Sequence, residues 1–136
     1  LLMQKIGFNF LYGRLDVSMH PFCGGAYNDS RITTRYNEKN FIESLMGVLH
    51  ETGHALYNLG LPEEWKYQPV GDALGTVVHE SQSLFMEMQI CRSYKFLKFT
   101  SPFIKRIFNK KGNKWEAENL YKIYTMETKN IINKIR

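Results

Sequence analysis

Two histidines and a glutamate at fixed spacing are the residues of this sequence best suited to chemistry. Residues 50–54 read His-Glu-Thr-Gly-His, inside an apolar stretch at residues 40–60 that favours a helix. Positions i and i+4 of a helix share a face, so the imidazoles of His50 and His54 can reach one metal ion. Glu51 projects about 100° further round the helix. It is therefore too far away to be a third ligand, but it can take a proton from a water molecule at that ion.

The spacing is the His-Glu-x-x-His arrangement of zinc peptidases, and its surroundings favour the helix that the motif requires. Asn40 is followed three residues later by Glu43, which predicts an N-cap with a capping-box partner, and Gly60 and Pro62 form a stop signal. The alternative is a buried helix whose histidines make ordinary hydrogen bonds. A candidate third ligand downstream argues against that alternative.

Glu80 is this candidate third ligand. It lies thirty positions after His50, near the start of a second predicted helix at about residues 72–99. Two histidines of one helix and a carboxylate of its neighbour form a His₂Glu set, with water in the fourth position. The alternative for Glu80 is a solvent-exposed helical glutamate. Glu87, two turns further along, either orients a ligand histidine or forms a surface salt bridge.

Two further histidines, His79 and His20, are candidates for the surroundings of such a site. His79 either donates a hydrogen bond to the oxyanion that forms during attack on a carbonyl, or is a buried histidine bonded to a backbone carbonyl. Both interpretations fit its spacing equally well. His20 precedes Pro21, which favours an extended backbone there, and we expect it to line a cleft.

The pattern as a whole predicts a mostly α-helical chain with a small antiparallel β element near residues 14–36. Residues 14–22 and 29–36 favour extended structure and are joined by a Gly-rich connection. Residues 1–12 read as the end of a helix. Helices are predicted at residues 40–60, 72–99, 103–110 and 114–126, with Pro102 as a break. Residues 1–136 are long enough for one core, and the lack of an initiator Met indicates a single partial domain of something longer.

Composition excludes several function classes. The net charge of +5 comes from 18 basic and 13 acidic residues, and the C-terminal lysines alternate with apolar residues as on a solvated helix face. We therefore expect no nucleic-acid partner. No apolar run approaches a membrane span, and no signal peptide is evident. Cys23 and Cys91 lie outside any C-x-x-C pattern, so free thiols and a cytoplasmic location are expected.

Five stretches, in order, resemble the carboxypeptidase Taq family of zinc metallocarboxypeptidases, also called thermostable carboxypeptidase 1. The first four match the family's His-Pro-Phe, Asp-x-Arg-x-Thr, His-Glu-x-x-His and His-Glu-Ser-Gln signatures. They stand at residues 20–22, 29–34, 50–54 and 79–82. Ile135 and Arg136 resemble the start of the family's Ile-Arg-x-x-Ala-Asp signature, and the later Gly-x-x-Gln-Asp-x-His-Trp signature is absent. The match covers essentially all of the chain but about a quarter of a family member.

The resemblance implies a role for each matching residue. One Zn²⁺ per chain, for which Co²⁺ can substitute, would be bound by His50, His54 and Glu80, and Glu51 would be the general base. The residues that would contact the peptide substrate are His79, His20, Arg31 and Arg136, and the stretch at residues 29–34 would border the cleft. The family's subunits are largely helical, with a zincin-like fold similar to neurolysin and angiotensin-converting enzyme, and form homodimers.

The implied reaction is the release of single amino acids from peptide C-termini with broad specificity, by the zinc-binding central segment of a metallocarboxypeptidase. Two groups of alternatives remain open. An endopeptidase or an aminopeptidase would use the same His₂Glu chemistry. A truncated, catalytically inactive remnant, or one piece of a split enzyme, would carry the same motifs without turning over substrate alone.

Overall fold

The computed structural model describes residues 1–125, which belong to two compact units. The first is Leu1–Glu87, and the second begins at Met88. Every candidate site residue lies in the first unit except Arg136, which lies outside the described residues. The mostly helical class with a small sheet is confirmed, whereas the single partial domain stays a prediction. Within residues 1–125, no helix has both the length and the apolar character needed to cross a membrane.

The first unit opens with a short helix and a three-stranded sheet. Helix α1 covers only Leu2–Lys5, and the strands are β1 (Gly13–Val17), β2 (Phe22–Ala26) and β3 (Asp29–Thr34). The strand order is β1-β3-β2, in which β3 is parallel to β1 and antiparallel to β2. The two extended stretches predicted from sequence contain β1 and β3, which pair in parallel, so the antiparallel orientation expected for them is wrong. The antiparallel pair is β2–β3. The Gly-rich stretch that the sequence assigned to a connection forms most of β2.

The sheet packs one face on helix α2. Alternate residues of β3 (Ser30, Ile32, Thr34) are buried, as a strand with one covered face requires. Ile32 is in the same apolar cluster as Val48 and Ala55 of the helix. This packing fixes the sheet against the helix that carries the histidine motif.

Helix α2 is Phe41–Leu59, close to the predicted boundaries. The side chain of Asn40 caps it by accepting a hydrogen bond from the Glu43 N–H, at 3.2 Å. The reciprocal half of the predicted capping box is absent among the described residues. The Glu43 carboxylate instead accepts from the Asn37 amide at 3.0 Å, and the Asn40 N–H bonds to the Asn37 carbonyl. Gly60 is the C-cap.

Helix α3 is Gly75–Leu84 and continues into a π-helical segment, Phe85–Cys91. It crosses α2 closely at Gly53. A Cβ atom at that position would lie 2.7 Å from the Ser83 Cα atom and 2.9 Å from the Met86 Cβ atom. A side chain larger than hydrogen therefore does not fit where α2 meets α3.

The predicted helix at residues 72–99 is interrupted, which corrects the sequence interpretation. Ser93 has an extended backbone and caps a new helix, α4 (Tyr94–Ile107), by accepting from the Phe96 N–H at 3.2 Å. Pro102 lies inside α4 and does not end it, so the predicted break there is wrong. A further helix starts at residue 117. The buried apolar residues of this second unit include Leu97 and Leu120.

Candidate metal centre

Helices α2 and α3 bring three potential metal ligands together. One ligand atom from each of His50, His54 and Glu80 lies within 4.8 Å of the others. The Nε2 atom of His50 is 3.5 Å from Glu80 Oε1, and the Nε2 atom of His54 is 3.2 Å from Glu80 Oε2. The structure thus assembles the ligand set predicted from the spacing of these residues.

These distances fit a tetrahedral metal site. In such a site, with bonds of about 2.0–2.2 Å, neighbouring donor atoms are about 3.3–3.6 Å apart. Both distances from the Glu80 carboxylate to an imidazole are close to this spacing. All three side chains are half-buried, so the site remains open to water and to a substrate. Three protein ligands and one open position are typical of a catalytic metal.

The ring of His50 is oriented by a carboxylate. Its Nδ1 atom lies 2.9 Å from Glu87 Oε2, which accepts a hydrogen bond from the Nδ1–H and leaves the Nε2 lone pair facing Glu80. This bond is the largest of the causes that raise the pKa of His50. Of the two sequence interpretations of Glu87, the orienting role has the geometry that it requires.

The ring of His54 is oriented by a second imidazole instead of a carboxylate. Its Nδ1 atom lies 2.5 Å from the Nδ1 atom of His79, and the two rings are 4.6 Å apart between centroids. The Nε2 atom of His79 lies 2.8 Å from the Asn58 side-chain oxygen. Burial, followed by the proximity of His50 and His79, lowers the pKa of His54. A lowered pKa favours the neutral imidazole that a metal requires.

Glu51 is buried beside the metal ligands, with 8% of its surface exposed. Burial, reinforced by the nearby Glu80 and opposed by His50, raises the pKa of its carboxyl group. Within residues 1–125, no hydrogen bond or ion pair holds this carboxylate. Glu51 is also close enough to β2 to act electrostatically on Cys23, whose thiol pKa is raised chiefly by burial. A carboxylate with a raised pKa and no fixed partner is suited to proton transfer.

The predicted substrate residues are less closely tied to this centre. The Arg31 guanidinium forms a two-pronged ion pair with Asp29, at 2.7 and 2.8 Å, on the sheet face that points away from α2. His20 is exposed before β2. The nitrogens of His79 contact His54 and Asn58, which is neither of the two arrangements expected from sequence. The substrate-binding roles of these residues remain predictions, as does that of Arg136, which lies outside the described residues.

A cavity of about 540 Å³ lies between the sheet and the end of α2, and Asn58, which contacts His79, is in its wall. Its wall includes residues 24–26 of β2, Asp29 and Ser30 of β3, and Asn58 at the end of α2. The resemblance led us to expect that the stretch at residues 29–34 borders a cleft. Asp29 and Ser30 are the members of that stretch that do so.

Sequence reasoning did not identify Asn58 and Tyr57. Asn58 follows His54 by four positions, so the same helical spacing that linked His50 to His54 places it on their face. The Tyr57 hydroxyl accepts a hydrogen bond from the Leu74 N–H at 3.0 Å, just before α3. That contact joins residues 17 positions apart, so no local sequence pattern predicts it.

Known proteins are similar to this chain in both sequence and fold. The model of a family described as carboxypeptidase Taq (M32) metallopeptidase matches residues 1–133. The chain is 42% identical to thermostable carboxypeptidase 1 of Thermus thermophilus over 113 residues, which are 82% of this chain and 22% of that protein. It spans about a fifth of the length of the curated relatives that it matches.

Solved structures give the same result. Metallocarboxypeptidase 1 of Trypanosoma cruzi superposes with a TM-score of 0.84 at 46% identity, covering 89% of this chain and 24% of that one. The M32 carboxypeptidase of Deinococcus radiodurans superposes with a TM-score of 0.81 at 32% identity, covering 88% of this chain and 24% of that one. The family match covers residues 1–133, which include every residue of the candidate metal centre. The chain therefore belongs to the carboxypeptidase Taq (M32) metallopeptidase family.

Proposed function

We propose that this chain forms the zinc centre of a metallocarboxypeptidase that releases single amino acids from the C-termini of peptides with broad specificity. The observation that carries the proposal is the convergence of His50, His54 and Glu80 beside the buried Glu51. The relatives named carboxypeptidase support the direction of cleavage.

The donor set favours zinc as the metal. Two imidazoles and one carboxylate are the ligands of known catalytic zinc sites, and Co²⁺ accepts the same kinds of donor. One ion per chain would be held by Nε2 of His50, Nε2 of His54 and the Glu80 carboxylate. When bound, zinc acidifies a water molecule and polarises the carbonyl of the scissile peptide bond.

Glu51 is the proposed general base. In the metal-free chain, burial raises the pKa of this carboxyl group, and no described residue bonds to it, so it is available to exchange a proton with a water molecule at the metal. It would take the proton of the attacking water and pass it to the leaving amine. Catalysis of this type typically contributes about 10²- to 10⁴-fold to the rate.

The substrate would be a peptide that enters the cavity beside Asn58. Within the proposed enzyme, His20 and Arg31 remain candidate substrate contacts, and Arg136 is the candidate partner of the terminal carboxylate. We further propose that the complete enzyme is a cytoplasmic homodimer, as the resemblance suggests. These assignments concern the whole protein, of which this chain provides the metal-binding segment.

A second candidate is one piece of a split enzyme or an inactive remnant. Apolar residues on and just before α3 are exposed, with 69% of Leu74 and 84% of Val77 accessible to solvent. An apolar surface of this kind favours coverage by another polypeptide segment. The chain also spans about a fifth of its curated relatives. We therefore expect residues 1–136 alone to bind zinc weakly and to release negligible amino acid.

The test compares the chain alone with the chain grafted in place of the matching segment of the Thermus relative. Each is given zinc and a peptide blocked at its N-terminus, and released amino acid is followed with and without a chelator. We expect chelator-sensitive release by the graft. Glu51→Gln should retain zinc but lower the rate by about 10²- to 10⁴-fold.

Two results of this test would contradict the proposal. A graft that binds zinc without turnover would support the remnant. Cleavage of a peptide blocked at its C-terminus would instead indicate an endopeptidase or an aminopeptidase.

A further inference from the structure

The two candidate histidine ligands are held by chemically different neighbours. The Nδ1 atom of His50 meets the Glu87 carboxylate at 2.9 Å. The Nδ1 atom of His54 meets the imidazole of His79 at 2.5 Å, and His79 in turn meets the Asn58 side chain at 2.8 Å. A carboxylate only accepts hydrogen bonds, whereas a neutral imidazole both donates and accepts. The proton arrangement at His54 therefore depends on the direction of a chain of hydrogen bonds.

That direction is set at Asn58. Its side-chain oxygen accepts a hydrogen bond, so the Nε2 atom of His79 carries the proton in this contact. The Nδ1 atom of a neutral His79 is then an acceptor, and it receives the proton that His54 carries on Nδ1. The Nε2 atom of His54 then has its lone pair towards Glu80 Oε2, at 3.2 Å. In the metal-free chain the relay therefore opposes the Glu80 carboxylate, which would accept a hydrogen bond from an Nε2–H.

We propose that His79, anchored by Asn58, is a positioning residue that holds His54 in the Nδ1–H tautomer and presents its Nε2 lone pair to the metal. This inference rests on the proposed metal centre and deepens it. His79 acts through His54, and both of its ring nitrogens are used within the protein.

The reverse direction of the same relay would not bind a metal. If the Asn58 amide turned over, its NH₂ group would donate to Nε2 of His79. His79 would then donate from Nδ1 to His54, and His54 would carry its proton on Nε2, facing Glu80. The acceptor oxygen of Asn58 is therefore the group that selects the binding-competent tautomer.

Contacts from α2 fix His79 in place for this task. The Tyr57 ring lies edge-on to the His79 ring, with centroids 5.1 Å apart. Its hydroxyl accepts from the Leu74 N–H just before α3. Tyr57 thus holds the start of α3, while Asn58, the next residue, sets the hydrogen-bond direction. Tyr57 and Asn58 both belong to the last turn of α2, the helix that carries His54, whereas His79 belongs to α3.

Two matched pairs of variants test the relay in the 136-residue chain. His79→Gln keeps one acceptor and one donor, while His79→Phe keeps a ring and loses both. Asn58→Asp keeps an acceptor oxygen, while Asn58→Leu has similar size and none. Zinc affinity is measured by competition with a chelator. We expect the Phe and Leu variants to bind about 10- to 100-fold more weakly, and the Gln and Asp variants to stay close to the wild type.

A second readout reports on the tautomer directly. Heteronuclear NMR of the imidazole nitrogens in the metal-free chain should show His54 protonated on Nδ1 in the wild type, His79→Gln and Asn58→Asp. His79→Phe and Asn58→Leu should populate the Nε2–H form. A merely structural role would not move this equilibrium while His50 stays unchanged. Circular dichroism checks that each variant keeps its helices.

Three results separate the outcomes. Unchanged affinity and an unchanged His54 tautomer in His79→Phe and Asn58→Leu would overturn the relay. Equal losses in His79→Gln and His79→Phe would also overturn it. If the wild type bound no zinc, the proposed metal centre would fail, while the tautomer of His54 in the metal-free chain would still decide whether the relay exists.

Discussion

The close approach of α2 and α3 at Gly53 predicts that one methyl group at this position disrupts the metal centre. In Gly53→Ala, the new Cβ atom would lie 2.7 Å from the Ser83 Cα atom and 2.9 Å from the Met86 Cβ atom. Neither atom can be moved by rotating a side chain. An ordinary contact begins at 3.4 Å, so the helices must separate locally by about 0.7 Å. Functional sites tolerate displacements of about 0.5 Å, and Glu80 lies one turn from this contact.

The expected magnitudes distinguish an effect on stability from an effect on binding. Replacing Gly by Ala in a helix interior gains about 1 kcal/mol, whereas overpacking costs about 1–3 kcal/mol. Gly53→Ala should therefore lower the free energy of unfolding by at most about 2 kcal/mol. Zinc affinity should fall about 10- to 100-fold, because Glu80 moves away from both imidazoles.

Gly47 offers a matched control on the same helix. A Cβ atom there would meet nothing within 4 Å. Gly47→Ala should raise the free energy of unfolding by up to about 1 kcal/mol and leave zinc affinity unchanged. Urea unfolding and chelator competition measure the two quantities. A folded Gly53→Ala variant with wild-type affinity for zinc would refute the claim that this helix contact sets the ligand geometry.

Three further predictions concern single side chains. Because burial raises the pKa of Glu51, the folded chain holds that proton more tightly than the unfolded one. The free energy of unfolding therefore falls as pH rises from the usual carboxyl pKa through the raised one. Above that pH range, metal-free Glu51→Gln should unfold at a higher urea concentration than the wild type. Below that range, the two should unfold at the same urea concentration. Glu80→Gln should weaken zinc binding strongly, whereas the exposed Glu64→Gln should not, as chelator competition would show. Burial also raises the pKa of Cys23, so its alkylation at neutral pH should be slower than in the urea-unfolded chain, and equal rates would contradict the burial.

Local sequence signals predicted the part of the site that lies on one helix. The i and i+4 spacing of His50 and His54 needs only a regular helix, and the Asn40 cap starts that helix where expected. Glu80 could also be predicted as a ligand from the sequence, because a short connection forces α3 to pack on α2. Gly53 makes that packing close, although the sequence alone showed no reason for a glycine there.

The remaining features depend on contacts that no local pattern encodes. Residues 23–26 contain two glycines and were predicted as part of a connection, yet pairing with β3 makes them most of a strand. Tertiary pairing overrides the weak preference of glycine for turns. Similarly, the interruption before α4 arises because Ser93 offers its side chain as a cap, which competes with continuation of the helix.

The hydrogen bonding of the centre distinguishes the candidate metal ligands from the proposed general base. The histidines His50 and His54 each have a partner on Nδ1, which fixes the ring and frees Nε2. Glu51 of the same helix is more deeply buried than either histidine, but no described residue bonds to its carboxylate, and burial raises its pKa. A buried acid without a partner costs stability, and a protein that only needed a structural metal would gain by replacing it. A carboxylate kept at this cost beside the candidate ligands favours the proposed proton transfer over a purely structural metal site.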